Sequence, residues 1–496
     1  MKKHPLVSCG TFAVALFIIS TIVFNQACAP SNKPVEPETI EPEVPVDKEN
    51  TPPTSIGGVP LGPIVGFVPT DVEGISGTAS EAHTGDASEA SNSGGERARH
   101  NFDIYSWKLF IALNWPVEDG QRGVPLNPAE PNTFLKMTNT TPVVWASYKN
   151  QFDLFGQGAN RPSEWDSWDN PVSLCPDVSA PPVHVFGTAK GNTLDGGEID
   201  EAFSMPLIDQ AKNYTLFEMR YNQVQYDFVR GNDATPASWL YLKKNLVKVQ
   251  MADGMVKMPS SNPPNTQGAI MVKAAWKELT DRDDESIYYV INENVYDPVT
   301  KTCSTKKMGL VGLHLVQKVD EFKEWIWSSF EHRNNVPGQG AQTPYSYNNG
   351  EEEPKTQGGW ANRPDSTEPN PDKSTRVPTQ VTRYNEIPTT PAGISTVDVN
   401  EAYWEILKGT VWKNYQLIIT QWPQKQDEFV IYGESGGIYP EGCGDPFPIN
   451  GCTNTAAETY FQSPNDATGK GGNSCMSCHY QASAADFSWS LQLKSH

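Results

Sequence analysis

Two cysteines and a histidine near the C-terminus are of residue types, and at a spacing, that can hold a cofactor. They form the run Cys475-Met476-Ser477-Cys478-His479. Cys-x-x-Cys-His is the pattern that attaches a c-type haem: each sulfur adds to one vinyl group of the porphyrin, and the histidine binds the iron. The eight cysteines and eight histidines of the chain would give this pattern by chance about 0.002 times. The motif therefore predicts one covalent haem c, with His479 as the proximal ligand.

Two other kinds of site use the same residue types. A redox-active dithiol would need a thioredoxin-like βαβ setting, which the neighbouring sequence does not show. A zinc site would need two more ligands at close spacing, and Cys443 and Cys452 are the nearby candidates. The chain contains one Cys-x-x-Cys-His motif, so a single haem is expected rather than a two-haem peroxidase arrangement.

The sequence leaves the other face of the iron open. Residues 480–496 contain no methionine, so a second ligand from this chain must be His496 or lie upstream. On the predicted strand that contains it, His314 shares a face with Leu310, Gly312 and Val316, and a flat macrocycle could approach at the glycine. We take His314 as the candidate second ligand, while a core histidine satisfied by a hydrogen bond is the alternative. Further candidates are Met308, Met219 and His332; within Glu331-His332-Arg333, His332 could instead contact a propionate or a substrate.

The N-terminus indicates export. Lys2 and Lys3 precede an apolar run over residues 12–24, which has the form of a secretory signal and is short for a membrane span. The run ends at Asn-Gln-Ala-Cys, which fits a lipoprotein signal with Cys28 as the lipidated residue; ordinary cleavage and an uncleaved anchor are the alternatives. Haem c is attached outside the bacterial cytoplasm. We therefore expect a lipid-anchored protein in the periplasm or at the outer membrane.

Four cysteines remain after the signal, lipid and haem cysteines are assigned. An even number in an oxidising compartment suggests two disulfides, for which three pairings exist. Cys443 and Cys452 flank a loop rich in glycine and proline and form the first predicted pair, which leaves Cys175 with Cys303. Four free thiols are the alternative.

The net charge of −21 restricts the partners. Removing residues 1–27 takes away two lysines and no acidic residue, so the mature chain is more acidic still. Such a charge argues against nucleic acid and anionic lipid head groups as partners. A redox partner protein or a small-molecule substrate is expected; a cationic redox partner is compatible with the charge, although acidity also serves solubility.

Composition divides the chain into three regions. Residues 1–27 are the lipoprotein-type signal. Residues 28–98 have the composition of a disordered tether, rich in proline and glutamate and then in serine and glycine, with an apolar stretch at 59–68 that could dock onto the globular part. Residues 99–496 are expected to form one globular cytochrome c-like domain, with the haem motif at 475–479.

Hydrophobic patterns predict an α+β domain. Residues 102–115 are densely apolar with aromatic residues at helical spacing, which predicts a buried helix. Residues 334–397 are polar and almost without periodicity, as in a long surface excursion. The remaining segments predict a mixed or antiparallel sheet with packed helices: strands at 215–221, 269–276, 287–295, 308–319, 325–332 and 415–422, and helices at 143–155, 225–230, 400–412 and 456–461.

Several segments carry a family resemblance in combination. They are Ser-Trp-Lys-Leu-Phe-Ile-Ala-Leu-Asn-Trp-Pro at 106–116, Val-Trp-Ala-Ser-Tyr-Lys at 144–149, Lys-Ala-Ala-Trp at 273–276, Gly-Leu-Val-Gly-Leu-His at 309–314, Trp-Ile-Trp-Ser-Ser-Phe-Glu-His at 325–332 and Glu-Thr-Tyr at 458–460. Together with the haem motif, they resemble a family of bacterial exported proteins described only as cytochrome c family proteins. The resemblance spans residues 100–485. It implies haem binding and a shared fold, and it implies no particular reaction.

Two functions of different classes are compatible with these features. A haem with protein ligands on both faces would serve electron transfer. A haem with an open distal site would serve a peroxidase- or oxygenase-like oxidoreductase, assisted by His314, His332 or Arg333. The length of the globular region favours the enzyme, and the lack of a recognisable catalytic cluster favours the carrier. A surface binding protein with a structural haem is a third possibility; electron transfer is the leading hypothesis, and the catalytic residues of an enzyme remain unknown.

Overall fold

The structure is a computed structural model in which Pro52–His496 forms one compact unit. It describes residues 52–73, 93–156, 158–167, 185–187, 199, 205–262, 266–297, 300–319, 322–350, 361–362, 364, 370–423, 446–447, 453–462 and 475–496. The predicted signal with Cys28 lies outside these residues, as do Cys175, Cys443 and Cys452. Within the described ranges, no helix is both long enough and apolar enough to cross a membrane.

A nine-stranded sheet lies at the centre of the described part of the chain. Its strands are β3 (Lys149–Asn150), β4 (Val185–Gly187), β5 (Leu216–Tyr221), β6 (Ile270–Glu278), β7 (Val290–Asp297), β8 (Thr302–Val319), β9 (Phe322–His332), β10 (Tyr415–Pro423) and β11 (Pro446–Phe447), while β1 (Ser55–Ile56) and β2 (Val59–Pro60) form a separate hairpin. The order along the sheet is β11-β10-β9-β8-β6-β5-β3, and β7 pairs with β8 and β4. The β4–β7 pair is parallel and the other pairs are antiparallel.

A long helix covers one face of this sheet. The helices are α1 (Ser93–Leu113), α2 (Pro131–Leu135), α3 (Gln151–Phe155), α4 (Gln223–Arg230), α5 (Lys243–Asp253), α6 (Thr396–Ile406), α7 (Cys475–His479) and α8 (Trp489–Lys494). Trp107 of α1 contacts both neighbouring layers: its ring lies 5.1 Å from Phe330 of β9 and 5.1 Å from Tyr403 of α6. Helix α1 is buried nearly all round from residue 100 onwards because it lies between the sheet and α6.

The α+β class predicted from the sequence is confirmed, whereas the predicted helices differ in their bounds, and in place of the helix predicted at 456–461 there is a 3₁₀ turn, Thr459–Phe461. Residues 143–155 form a 3₁₀ turn, Trp145–Ser147, followed by β3 and α3 rather than one helix. The chain breaks there because Asn150 caps a new helix, in which its side chain accepts the N–H of Asp153. Helix α6 starts four residues before the predicted 400 because Ser395 caps it in the same way.

The ordered unit begins inside the predicted tether. Leu61 and Val72 are buried in the main core, the hydroxyl of Tyr403 donates to the carbonyl of Leu61 at 3.3 Å, and Gly66 N donates to Pro128 O at 2.7 Å. The expectation of disorder throughout 28–98 is therefore corrected for residues 52–73, because their apolar side chains gain burial against α1 and α6. It is also corrected for residues 93–98, which form the start of α1. The apolar stretch at 59–68 docks as its composition suggested.

A partly buried acid on β7, Glu293, has a raised pKa. Glu218 and Arg220 form a buried ion pair on β5, with Arg220 Nε 2.8 Å from Glu218 Oε2. Burial, reinforced by the Glu218 carboxylate, raises the pKa of Glu293 to about 8 from an ordinary value of 4.5, although Arg220 opposes the shift. Glu293 is therefore protonated at neutral pH in the folded chain.

Glu293→Gln should flatten the dependence of stability on pH. Between pH 4.5 and about 8 the folded chain keeps a proton that the unfolded chain has released, so this stabilisation is complete below pH 4.5 and is lost as the pH rises to about 8. The slope that one such group contributes is about 1.4 kcal/mol per pH unit. Urea unfolding of both proteins across this range measures it, and identical slopes would contradict the protonated state of Glu293.

Candidate functional site

The Cys-x-x-Cys-His motif forms the short helix α7, which lies against one face of the sheet. The backbone N–H of Cys475 donates to Gln421 Oε1 of β10 at 2.8 Å. The ring of His479 lies 4.4 Å from the ring of Trp327, and Trp327 pairs with Gln421 across β9 and β10. Since positions i, i+3 and i+4 share one side of a helix, Cys475, Cys478 and His479 present both sulfurs and the imidazole on one surface.

A backbone carbonyl fixes the imidazole of His479. Its Nδ1 donates to the carbonyl oxygen of Phe487 at 2.7 Å, so the neutral ring carries its proton on Nδ1 and a lone pair on Nε2. Burial lowers the pKa of His479 to about 4, which favours this neutral form. Nε2 has no hydrogen-bond partner among the described residues. A histidine that ligates a metal is oriented in this way.

Both motif cysteines are free thiols. Burial raises the pKa of Cys475 and Cys478, and the carboxylate of Glu458 adds to the effect. A redox-active dithiol needs the opposite shift, because the thiolate is the reactive form. In the part of the chain that the structure describes, no group of three or more His, Cys, Asp or Glu residues could hold a metal ion. A tetrahedral zinc site would thus need ligands from outside those residues.

Charged side chains lie beside the motif. Lys273, His314 and Ser329 are register partners across β6, β8 and β9, and they share a sheet face with Trp327. His314 Nε2 lies 3.2 Å from Glu458 Oε1. Although burial opposes it, the charges of His314 and Lys273 lower the pKa of Glu458 and so favour its carboxylate form. The sheet thus brings a carboxylate–imidazole pair and a lysine to the side where α7 lies.

The surroundings of His314 differ from the prediction in two respects. Leu310 pairs with Trp276 beyond an irregularity in the β6–β8 ladder, and this bulge moves Leu310 to the opposite face. Gly312 does not leave room for a macrocycle: a Cβ there would lie 3.3 Å from Asn454 Oδ1 and 3.4 Å from Ala456 Cβ. The absence of a side chain at Gly312 instead allows the segment 453–462 to approach the sheet.

Other candidate residues lie apart from the motif. His332 points to the opposite face of β9, where its Nε2 contacts the Ile287 carbonyl at 3.0 Å and its Nδ1 accepts the Asn334 N–H at 3.1 Å. Burial lowers the pKa of His332 to about 3, so it is a satisfied core histidine. The guanidinium of Arg333 lies over the ring of Trp404, 3.7 Å from its centroid.

The remaining candidates from the sequence occupy three further positions. His496 directs its Nε2 to the carbonyl of Phe155. Met219 pairs with Lys273 on β6, and Met308 pairs with Glu278 at the other end of that strand. Of these, Met219 lies on the face that bears His314.

Cys303 is disulfide-bonded in the structure. The described cysteines Cys475 and Cys478 are free, so the partner of Cys303 lies outside the described residues. The pairing of Cys303 with Cys175, and that of Cys443 with Cys452, stay predictions.

A buried glutamate anchors the segment that carries Glu458. Glu331 of β9 accepts the N–H of Thr455 at 2.8 Å and its hydroxyl at 2.7 Å, and it pairs with Arg383. Asn454 Nδ2 donates to the Phe330 carbonyl at 2.7 Å. Sequence reasoning missed this role, although the alternation of Trp327, Ser329 and Glu331 along one strand would have placed Glu331 on the motif face.

No family model, curated protein or solved structure matches the chain. The resemblance to exported cytochrome c proteins therefore stays a prediction from the sequence, and the function must be argued from the geometry of the site.

Replacing Glu331 with glutamine should loosen the segment 453–462. The change leaves the buried guanidinium of Arg383 without the carboxylate, and breaking a buried ion pair costs roughly 3–5 kcal/mol. Urea unfolding should show a loss of that order, and hydrogen exchange should accelerate at 453–462. Glu285→Gln is the matched control, because its pair with Lys307, 2.6 Å long, is exposed and should contribute below about 1 kcal/mol. Equal losses in the two variants would refute the anchoring role.

Proposed function

We propose that this chain is an exported c-type cytochrome that binds one haem covalently through Cys475 and Cys478 and transfers electrons through it. The observation that carries the proposal is the hydrogen bond from His479 Nδ1 to the Phe487 carbonyl at 2.7 Å. That bond leaves Nε2 as the nitrogen with a lone pair, on the same side of α7 as two free thiols. Export and the lipid anchor at Cys28 belong to the proposal and rest on the sequence.

The residues around α7 fit a haem. Trp327 is buried beside His479, and its Nε1 has no hydrogen-bond partner in the described structure. Such a buried orphan donor is costly unless a ligand satisfies it, and a haem carries two carboxylates that accept hydrogen bonds. When bound, haem supplies one-electron exchange at its iron. The chain itself supplies two thioether attachments, an oriented imidazole and a largely buried wall.

Covalent haem should be present on the exported protein. In a bacterial host that matures c-type cytochromes, we expect the denatured chain to retain haem, as seen by mass spectrometry and by the pyridine haemochrome spectrum. Replacing both Cys475 and Cys478 with alanine should abolish retention, and each single replacement should leave one thioether. His496→Ala should retain haem as the wild type does, since His496 contacts Phe155 instead of the motif. An exported wild-type chain without covalent haem would end the proposal.

One observation favours a second function, that of a haem-dependent oxidoreductase of peroxidase or oxygenase type. Glu458 Oε1 lies 3.2 Å from His314 Nε2, the arrangement of a carboxylate that orients an acid–base histidine. His314 Nε2 has no hydrogen-bond partner in the described structure, so its contact with Glu458 is one of charge. For the ligand role, His314 would have to turn this nitrogen from the carboxylate toward the iron.

Carbon monoxide distinguishes the two functions. If His314 is the second ligand, the reduced haem should be low-spin and unchanged by carbon monoxide, and His314→Ala should create a site that binds it. If Glu458 keeps His314 off the iron, the wild type should bind carbon monoxide, and the enzyme would replace the carrier. We expect the low-spin result, measured by absorption spectroscopy on oxidised and reduced protein, with His496→Ala as the control.

A further inference from the structure

The residue before Phe487, whose carbonyl orients His479, belongs to a buried ion pair. Asp486 is 0% exposed, and its Oδ2 receives Lys318 Nζ at 2.5 Å and the N–H of Met258 at 2.6 Å. The indole N–H of Trp325 reaches Asp486 Oδ1 at 3.2 Å and Asp486 O at 3.1 Å. Three parts of the chain thus converge on one aspartate, whose next residue is Phe487.

Lys318 and Trp325, two of the residues that contact Asp486, lie where the pairing of β8 with β9 is irregular. Gln317 pairs with Ile326 and Val319 with Phe322, so Lys318 and Trp325 fall within the shift of register. Trp325 has a φ of +80°, a conformation that residues with side chains rarely adopt. Bulges of this kind redirect side chains and are enriched beside functional sites. Here the bulge turns both side chains toward Asp486.

The turn after the motif is itself strained. Asp486 and Phe487 have φ values of +53° and +61°, two consecutive left-handed residues that are not glycine. Such conformations persist only where the surroundings hold them. The contacts of Asp486 with Lys318, Met258 and Trp325 are those surroundings. Their result is that the Phe487 carbonyl points back toward the imidazole of His479.

We propose that Asp486, held by Lys318 and Trp325, is a positioning residue for the proximal ligand. It keeps the Phe487 carbonyl where His479 Nδ1 can donate to it, and so sets the strength of that hydrogen bond. A strong bond from Nδ1 makes Nε2 a more basic ligand, which stabilises oxidised iron. The effect on the haem rests on the proposed function, whereas the effect on the imidazole exists without haem.

The variants separate positioning from mere stability. Asp486→Asn keeps the shape of the side chain and removes the charge that attracts Lys318. Trp325→Phe removes only the N–H donor and serves if the first variant folds poorly by circular dichroism. Asp283→Asn is the matched control, because Lys277 and Asp283 form a buried pair of similar kind, 2.6 Å long, elsewhere in the fold. General consequences of losing a buried ion pair should appear equally in Asp283→Asn.

The first measurement uses the haem-free full-length chain with ¹⁵N-labelled histidine. Nuclear magnetic resonance should show His479 protonated on Nδ1 in the wild type and in Asp283→Asn. Asp486→Asn should shift His479 toward a mixture of tautomers, with Trp325→Phe between the two. An unchanged Nδ1–H tautomer in Asp486→Asn and in Trp325→Phe would overturn the positioning role.

The second measurement is the midpoint potential of the haem-loaded protein. Weakening the Nδ1 hydrogen bond should favour reduced iron, so the equilibrium constant for reduction by a reference dye should rise about threefold or more in Asp486→Asn. Asp283→Asn should leave it unchanged. A chain that never acquires covalent haem would refute the proposed function while the tautomer result still decides the positioning role. A loaded chain with unaltered potential in Asp486→Asn would overturn the positioning role alone.

Discussion

The hydrogen bond between His479 and the Phe487 carbonyl forms because a short C-terminal segment is attached to the sheet. That segment adds no strand to the sheet. Helix α7 has five residues, too few to be stable by themselves. Its place is fixed by side chains that reach out of the sheet: Gln421 accepts the first N–H of α7, and Lys318 holds Asp486. The geometry of the motif is therefore a property of the sheet as much as of the motif.

The two faces of the sheet pack against different parts of the chain. On one face, Phe330 and neighbouring side chains of the sheet pack against α1 and α6 in the main hydrophobic core. On the other face, alternate residues of the same strands include Lys273, His314 and Glu331. Because successive residues of a strand point to opposite faces, one strand can contribute both to a dry core and to a charged site. The α1 face carries charge as well, because Glu218 stands in register with Ala274, Leu313 and Phe330 and forms its buried pair with Arg220 there. Buried charges therefore occur on both faces, and pairing is what makes them tolerable.

The charged groups beside the motif make two roles possible for His314. Its imidazole lies beside the motif, which suits an iron ligand, and within 3.2 Å of a carboxylate, which suits proton transfer. Glu331 anchors the segment that carries Glu458, so the protein sets the position of that carboxylate. In the proposed haem protein, iron and the Glu458 carboxylate would compete for His314, whose Nε2 makes no hydrogen bond in the described structure. The two proposed functions, carrier and enzyme, differ in the outcome of that competition.

Local sequence patterns were sufficient to predict much of the secondary structure of this protein. The Cys475-to-His479 spacing, the apolar helix α1 and most strands are encoded within a few neighbouring residues, since a helix or strand follows from periodicity and a motif from spacing. Sequence reasoning also named His314, which the structure places on the motif face, although it assigned Leu310 to the wrong face and misread the purpose of Gly312. Both errors come from contacts between distant segments, which periodicity along one strand does not contain.

The sequence by itself identified the residues that we propose bind a haem; the tertiary structure decided how they are held. Asp486, Lys318 and Trp325 belong to no recognisable sequence motif. The left-handed turn at Asp486 and Phe487 contains no glycine that would have indicated it in the sequence. Their roles exist only because a bulge between β8 and β9 directs two side chains at a carboxylate some 160 residues away in the chain. Such convergence results from packing three segments together, and packing is decided by the whole fold.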